Sequence, residues 1–130
     1  MTRFYAKPTR VDGIRFDSQA EANRYTQLKI LVASGDISAL EVHPKLKLSV
    51  KGTRIGSGWY TADFQYKEAN QIIVEDVKGD WVFRSGVAKT GWTRLRDLVC
   101  ASHEGVTLRV TTKHGISEDW RALNGRVQKI

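Results

Sequence analysis

One cysteine, two prolines and one methionine stand among 130 residues. The lone Cys100 excludes an internal disulfide and fits a reducing compartment. No apolar run approaches the roughly 18 residues that a membrane span needs, and the first residues carry no signal-peptide core. No membrane association and a cytoplasmic location are therefore expected. The chain shows no internal repeat, low-complexity tract or Pro- or Ser-rich linker, so it reads as one domain long enough to bury its own core. Acids are scarce as well: 14 Asp and Glu stand against 21 Lys and Arg, a net charge of +7, with a pI near 9.8. A basic domain suits a polyanionic partner, most often nucleic acid.

What is present organises around turn and cap signals. Asp12-Gly13 in "VDGIRF" predicts a small hairpin or arm within residues 4–16. "DSQAEANRYTQLKILVASGD" predicts a helix capped by Ser18, with Glu21 at the capping-box position and Gly35 as its stop. Ala22, Tyr25, Leu28 and Leu31–Val32 recur at helical spacing. Strands are expected over 40–50, with Leu46, Leu48 and Val50 on one face, over 59–66 and over 72–78. "GTRIGSG" between the first two reads as a glycine-rich turn. "KEANQ" closes an antiparallel hairpin between the last two, and the near-continuous apolar run of "IIVEDVK" suits a central position. After an irregular crossover, a second helix is expected over 92–105 and a fourth strand over 106–112. The tail 113–130 is mostly polar, with a short helix expected after Ser117. The fold class is α/β, in the order α-β-β-β-α-β: a mixed sheet flanked by helices, with a core of about 17–112, an N-terminal arm 1–16 and a C-terminal tail 113–130.

The chemistry concentrates at the end of "VEDVKGD". Residues two apart on a strand share a face, so Asp76 and Lys78 are neighbours while Glu75 points the other way. Glu75 therefore reads as a salt-bridge partner. Asp63 interrupts the apolar "TADFQY", and the hairpin would bring it towards Asp76. Paired carboxylates repel and hold protons unless a cation lies between them. Mg2+ suits such an all-oxygen site and retains waters that a phosphate can displace.

This pattern resembles the PD-(D/E)XK nuclease superfamily, in which an acid on the second core strand precedes an acid-x-lysine triplet on the third. Asp63 matches the first position, Asp76-Val77-Lys78 matches the triplet, and Glu21 fits an acid that many members carry on the first helix. "VDGIRFDSQAEANRY", "TADFQY" and "VEDVKG" together look like a family of small phage-encoded proteins of that superfamily. Ala62 stands where a proline is usual, at a variable position, and the resemblance covers about residues 4–112. It implies a restriction-endonuclease-like core and a Mg2+-dependent DNA endonuclease, with Mn2+ able to substitute. Asp63, Asp76, the Val77 carbonyl and Glu21 would be metal ligands, and Lys78 would serve the attacking water. By analogy with small resolvases it further implies branched DNA such as a Holliday junction as substrate, a role in phage recombination or DNA processing, a homodimer, and the host bacterial cytoplasm. A non-catalytic nucleic-acid-binding protein on the same fold, or a nuclease for linear or single-stranded DNA, are the alternatives. Ser18-x-x-Glu21 alone also accounts for an acid at Glu21, so cap and ligand both stand as readings.

Other motifs carry less. Cys100-x-x-His103 is half of a zinc spacing with no second pair. "SGVAKTG" has Ala88 where a phosphate loop needs glycine before lysine. Arg84, Lys89, Arg94 and Arg96 follow the acidic strand, where they could hold DNA phosphates. Trp59 is expected to pack on the sheet; Trp81 and Trp92 flank the loop after the strand and are candidates to stack on an unpaired base, with core packing the favoured reading for Trp92.

Overall fold

A computed structural model describes residues 7–83 and 86–130. The first elements among the described residues are a hairpin of β1 (Thr9–Val11) and β2 (Ile14–Phe16). Asp12 and Gly13 both take positive φ, 53° and 76°, as the sharpest two-residue hairpin turn requires. Helix α1 (Gln19–Ser34) follows with the expected caps: the Ser18 hydroxyl accepts from the Glu21 amide, and Gly35 closes the helix in the left-handed conformation. Caps contribute about 1 kcal/mol. Docking contributes more, because burial of Tyr25 and Leu28 on the sheet stabilises by about 2 kcal/mol each.

The region 37–61 departs from the expected strand, turn and strand. Pro44 and a positive φ of 55° at His43 split it into β3 (Ile37–Val42) and β4 (Lys45–Val50). The expected turn "GTRIGSG" lies instead within a long strand, β5 (Thr53–Thr61), in which Gly56 and Gly58 take positive φ. β4 and β5 form a separate antiparallel ribbon. The expected strand 59–66 is likewise broken: β5 ends at Thr61, Ala62 and Asp63 lie outside any strand, and β6 (Phe64–Glu68) joins the main sheet. The chain changes sheets at that break. β6 and β7 (Gln71–Val77) form the anticipated hairpin around Ala69–Asn70.

A short 3-10 turn (Asp80–Phe83) precedes α2 (Val87–Ser102), which begins five residues earlier than Trp92 and ends before Gly105. β8 (Val106–Thr112) occupies the expected range and pairs parallel with β7. The tail forms no helix. β9 (Gly115–Leu123) and β10 (Arg126–Lys129) make a hairpin whose turn, Asn124-Gly125, has φ of 52° and 77°. Asn-Gly between alternating residues is itself a strong hairpin signal. The element order is thus longer than α-β-β-β-α-β at both ends and in the middle.

The main sheet is mixed and runs β10-β9-β8-β7-β6-β3, with β7 and β8 central. One face carries α1 over Phe64, Tyr66 and Ile73. The other carries α2 and the β4–β5 ribbon over Val74, Leu108 and Val110, with Trp92, Val99 and Cys100 packed between. Among the described residues, no helix is long and apolar enough to cross a membrane.

Candidate functional site

Strand alternation decides the site. Ile73, Glu75 and Val77 face α1; Val74, Asp76 and Lys78 face α2. Glu75, wholly buried, is consumed structurally. It accepts from Arg24 at 2.7 and 2.9 Å, from Tyr66 at 2.6 Å and from Thr111 at 3.0 Å. Arg24 itself stands 51 residues earlier, a partner the local sequence does not announce. Tyr66 extends the network to Arg109, which also binds Glu68 and Asp119.

Asp76 is in the opposite condition. Its side chain is buried, and its Oδ2 has no hydrogen-bond partner among the described residues. The Lys78 ammonium stands near, 3.8 Å away, at ion-pair range but beyond a hydrogen bond. Lys78 is held from the other side by the face of Trp92, 4.4 Å from the ring centre. Trp92 thus packs in the core as expected and also steadies the lysine.

Asp63 reaches the same place from the break between β5 and β6. Phe64 pairs with Glu75, so the register sets Asp63 opposite Asp76, one step past the end of the ladder. The Asp63 amide donates to the Glu75 carbonyl at 3.2 Å, and Asp63 Oδ2 accepts from the Val77 amide at 2.7 Å. What the structure shows of Val77 here is this amide. The strand break serves the site, because a residue leaving one sheet turns its side chain across the end of the next strand.

Glu21 arrives from α1. It caps the helix start, accepting from the Asp17 amide at 3.3 Å. It also titrates with the cluster: burial, then the Asp63 charge, raise its carboxyl from 4.5 to about 7, with a smaller contribution from Asp76. Glu21 is therefore a helix cap that also feels the Asp63 charge. Burial likewise raises Asp63, opposed by the Val77 amide and Lys78. It raises Asp76, opposed by Lys78 and the Asp63 amide. Three carboxylates that each resist ionisation, beside one buried oxygen that no hydrogen bond satisfies among the described residues, fit a divalent cation in chemistry and charge. Among the described residues, no three Asp, Glu, His or Cys side chains already stand as a metal-holding group. A cation here would have to draw Glu21 and the two aspartates closer.

The basic residues divide. Lys89 and Arg94 are exposed on α2, the helix that supplies Trp92. Arg96 is committed elsewhere: its guanidinium lies 3.7 Å from the Trp120 ring centre and pairs with Asp97 at 3.0 Å. Arg84 lies outside the described residues, and of Trp81 only the backbone, in the 3-10 turn, is described. Trp59 does not pack on the sheet; it is 53% exposed on the outer face of the β4–β5 ribbon. Alternation with buried Tyr60 and Gly58 could have shown this. The zinc half-motif dissolves: Cys100 is buried, its thiol pushed up to about 11 by burial, while His103 caps α2 and its Nε2 meets the Lys47 carbonyl at 2.7 Å.

No curated protein and no solved structure matches this chain. One family model, described as "Protein of unknown function (DUF1064)", matches residues 1–93, a span that includes Glu21, Asp63, Asp76 and Lys78. The chain belongs to that family.

Proposed function

We propose that this protein is a metal-dependent DNA endonuclease with a PD-(D/E)XK-type core, acting on branched DNA. One observation carries the reading. Asp63, Asp76 and Lys78 come from adjoining strand ends to one surface, where Asp76 Oδ2 is buried, faces the Lys78 charge at 3.8 Å and, among the described residues, has no hydrogen bond. A merely structural buried aspartate would have its oxygens hydrogen-bonded, as Glu75 beside it does. The +7 charge of the chain supports a polyanionic substrate.

Asp63 and Asp76 would hold Mg2+, joined by Glu21 and the Val77 carbonyl; Mn2+ could take its place. The ion, when bound, supplies charge neutralisation at the phosphate and a more acidic water. The chain's own residues do the rest. Lys78, fixed between Asp76 and Trp92, orients the attacking water and meets charge developing on the phosphate oxygens. The Val77 amide holds Asp63 in one rotamer, so this carboxylate is positioned before substrate arrives. Lys89 and Arg94 are placed to take flanking phosphates. Paired cuts across a junction require two such sites, so a symmetric homodimer belongs to this reading.

The test is cleavage of labelled junction, flap, duplex and single-stranded substrates in Mg2+. Wild type should cut the junction best. Asp76→Asn should cut none while keeping its fold and its DNA affinity, because it removes a ligand charge and almost no volume. Cleavage by Asp76→Asn at the wild-type rate would overturn the site. Binding without cleavage by wild type on every substrate would make this a binding protein on the same fold.

A further inference from the structure

The β4–β5 ribbon carries features that the carboxylate site leaves unused. Between Val42 and Ala62 the chain has four Lys and Arg residues and no Asp or Glu. The ribbon alternates strictly along β4: Leu46 and Leu48 are buried in the core, while Lys45 and Lys47 are exposed on the opposite face. Lys47 pairs across the ribbon with Trp59, and Lys45 with Thr61. Cross-strand partners share a face, so Lys45, Lys47 and Trp59 stand together on the outside.

A tryptophan that is 53% exposed there is costly in water, yet its backbone is tied to a neighbouring side chain. The Ser57 hydroxyl accepts from the Trp59 amide at 3.4 Å and donates to its carbonyl at 3.3 Å. Next to it, Gly58 has φ +88°, and a Cβ there would meet Arg54 Cδ at 2.7 Å. Glycine is what leaves room for the Arg54 stem at this point of the strand. Lys47, Ser49, Gly52, Arg54, Gly58 and Trp59 are among the residues lining a cavity of about 350 Å³.

We infer that this face binds an unpaired strand of DNA, with a base stacked on Trp59 and its phosphates on Lys47 and Arg54. An aromatic plane flanked by cations, without acids, is the arrangement that takes single strands with little regard to sequence. Trp59 lies four residues before Asp63, at most about 13 Å of extended chain. The ribbon would thus receive the unpaired arm of a branched substrate near the carboxylates. That placement rests on the endonuclease reading; the stacking itself does not.

The measurement is fluorescence anisotropy of a labelled 16-nucleotide thymidine strand and a 16-base-pair blunt duplex, in EDTA so that nothing is cut. Trp59→Ala should weaken single-strand binding by about tenfold or more, ~1.4 kcal/mol, and change duplex binding by less than about twofold. Trp59→Phe should keep most of the affinity. Lys47→Ala should lower the single-strand salt slope by about 0.7. Equal losses on both DNAs, or no loss on the single strand, would overturn the assignment. The residue is exposed, so the alanine variant should fold, and circular dichroism checks that it does. Single-strand binding through Trp59 by a protein that cuts no substrate would sustain this inference and defeat the endonuclease reading. Junction cleavage with Trp59→Ala indistinguishable in both binding assays would do the reverse.

Discussion

Glu21→Gln separates the charge of Glu21 from its shape. Glutamine keeps an oxygen that can accept from the Asp17 amide, so the helix start loses little. What it loses is the charge set against Asp63 and Asp76. The wild-type carboxyl titrates at about 7 in the folded protein against 4.5 ordinarily. The folded state therefore binds the proton more tightly. The associated stability is fully present below 4.5 and is lost as pH rises through about 7. At 1.36 kcal/mol per pH unit, the whole difference would be about 3 kcal/mol. Glu21 is only half-buried, and solvent screening brings that down to about 1–2 kcal/mol. Urea unfolding followed by circular dichroism, in EDTA at pH 5 and pH 8, reads it directly. Glu21→Gln should gain on wild type by ~1–2 kcal/mol between the two pH values. Mg2+ added at pH 8 should then stabilise wild type by about 2.7 kcal/mol at a hundredfold excess over its dissociation constant, and the variant by less. A glutamine variant with the same disadvantage at both pH values would show that Glu21 is a cap and no more.

Glu75→Gln should destabilise by roughly 3 kcal/mol, because it leaves the shielded Arg24 guanidinium without a counter-charge; Asp76→Asn should be neutral or stabilising, since burial opposes its charge. Equal urea midpoints for the two variants would mean that the faces of β7 are misassigned. Lys78→Ala should leave junction affinity nearly intact and lower the single-turnover cleavage rate by ~100- to 10,000-fold; a fall of less than about tenfold would remove Lys78 from the chemistry.

Local signals carried as far as local chemistry reaches. Ser18, Gly35 and the Asp12-Gly13 turn are decided by backbone geometry within a few residues, and each was legible. Alternation along 72–78 was enough to put Asp76 with Lys78 and Glu75 apart from them. Where a strand should stop was not legible, because that depends on the sheet it pairs with. Thr61 and Phe64 belong to different sheets, and nothing between them but Ala62 and Asp63 marks the transfer. The start of α2 at Val87 has no side-chain cap to announce it. The C-terminal hairpin is another matter: Asn124-Gly125 was readable, and the weak helical spacing of Trp120 and Leu123 obscured it.

Two adjacent carboxylates on β7 pose a hazard while the chain folds. A slip of one residue turns every side chain to the opposite face. Here a slipped strand would still present an acid to each side: Asp76 to Arg24, and Glu75 to Trp92. Charge alone cannot tell the registers apart. Length and partner number can, since Glu75 satisfies Arg24, Tyr66 and Thr111 together, and the shorter aspartate reaches less far. The tight turn at Ala69–Asn70 allows the hairpin little slack to trade one register for the other. The Glu75 network thus acts as a proofreader of alignment, rejecting the mispaired strand before the exposed end of the sheet has any task to perform.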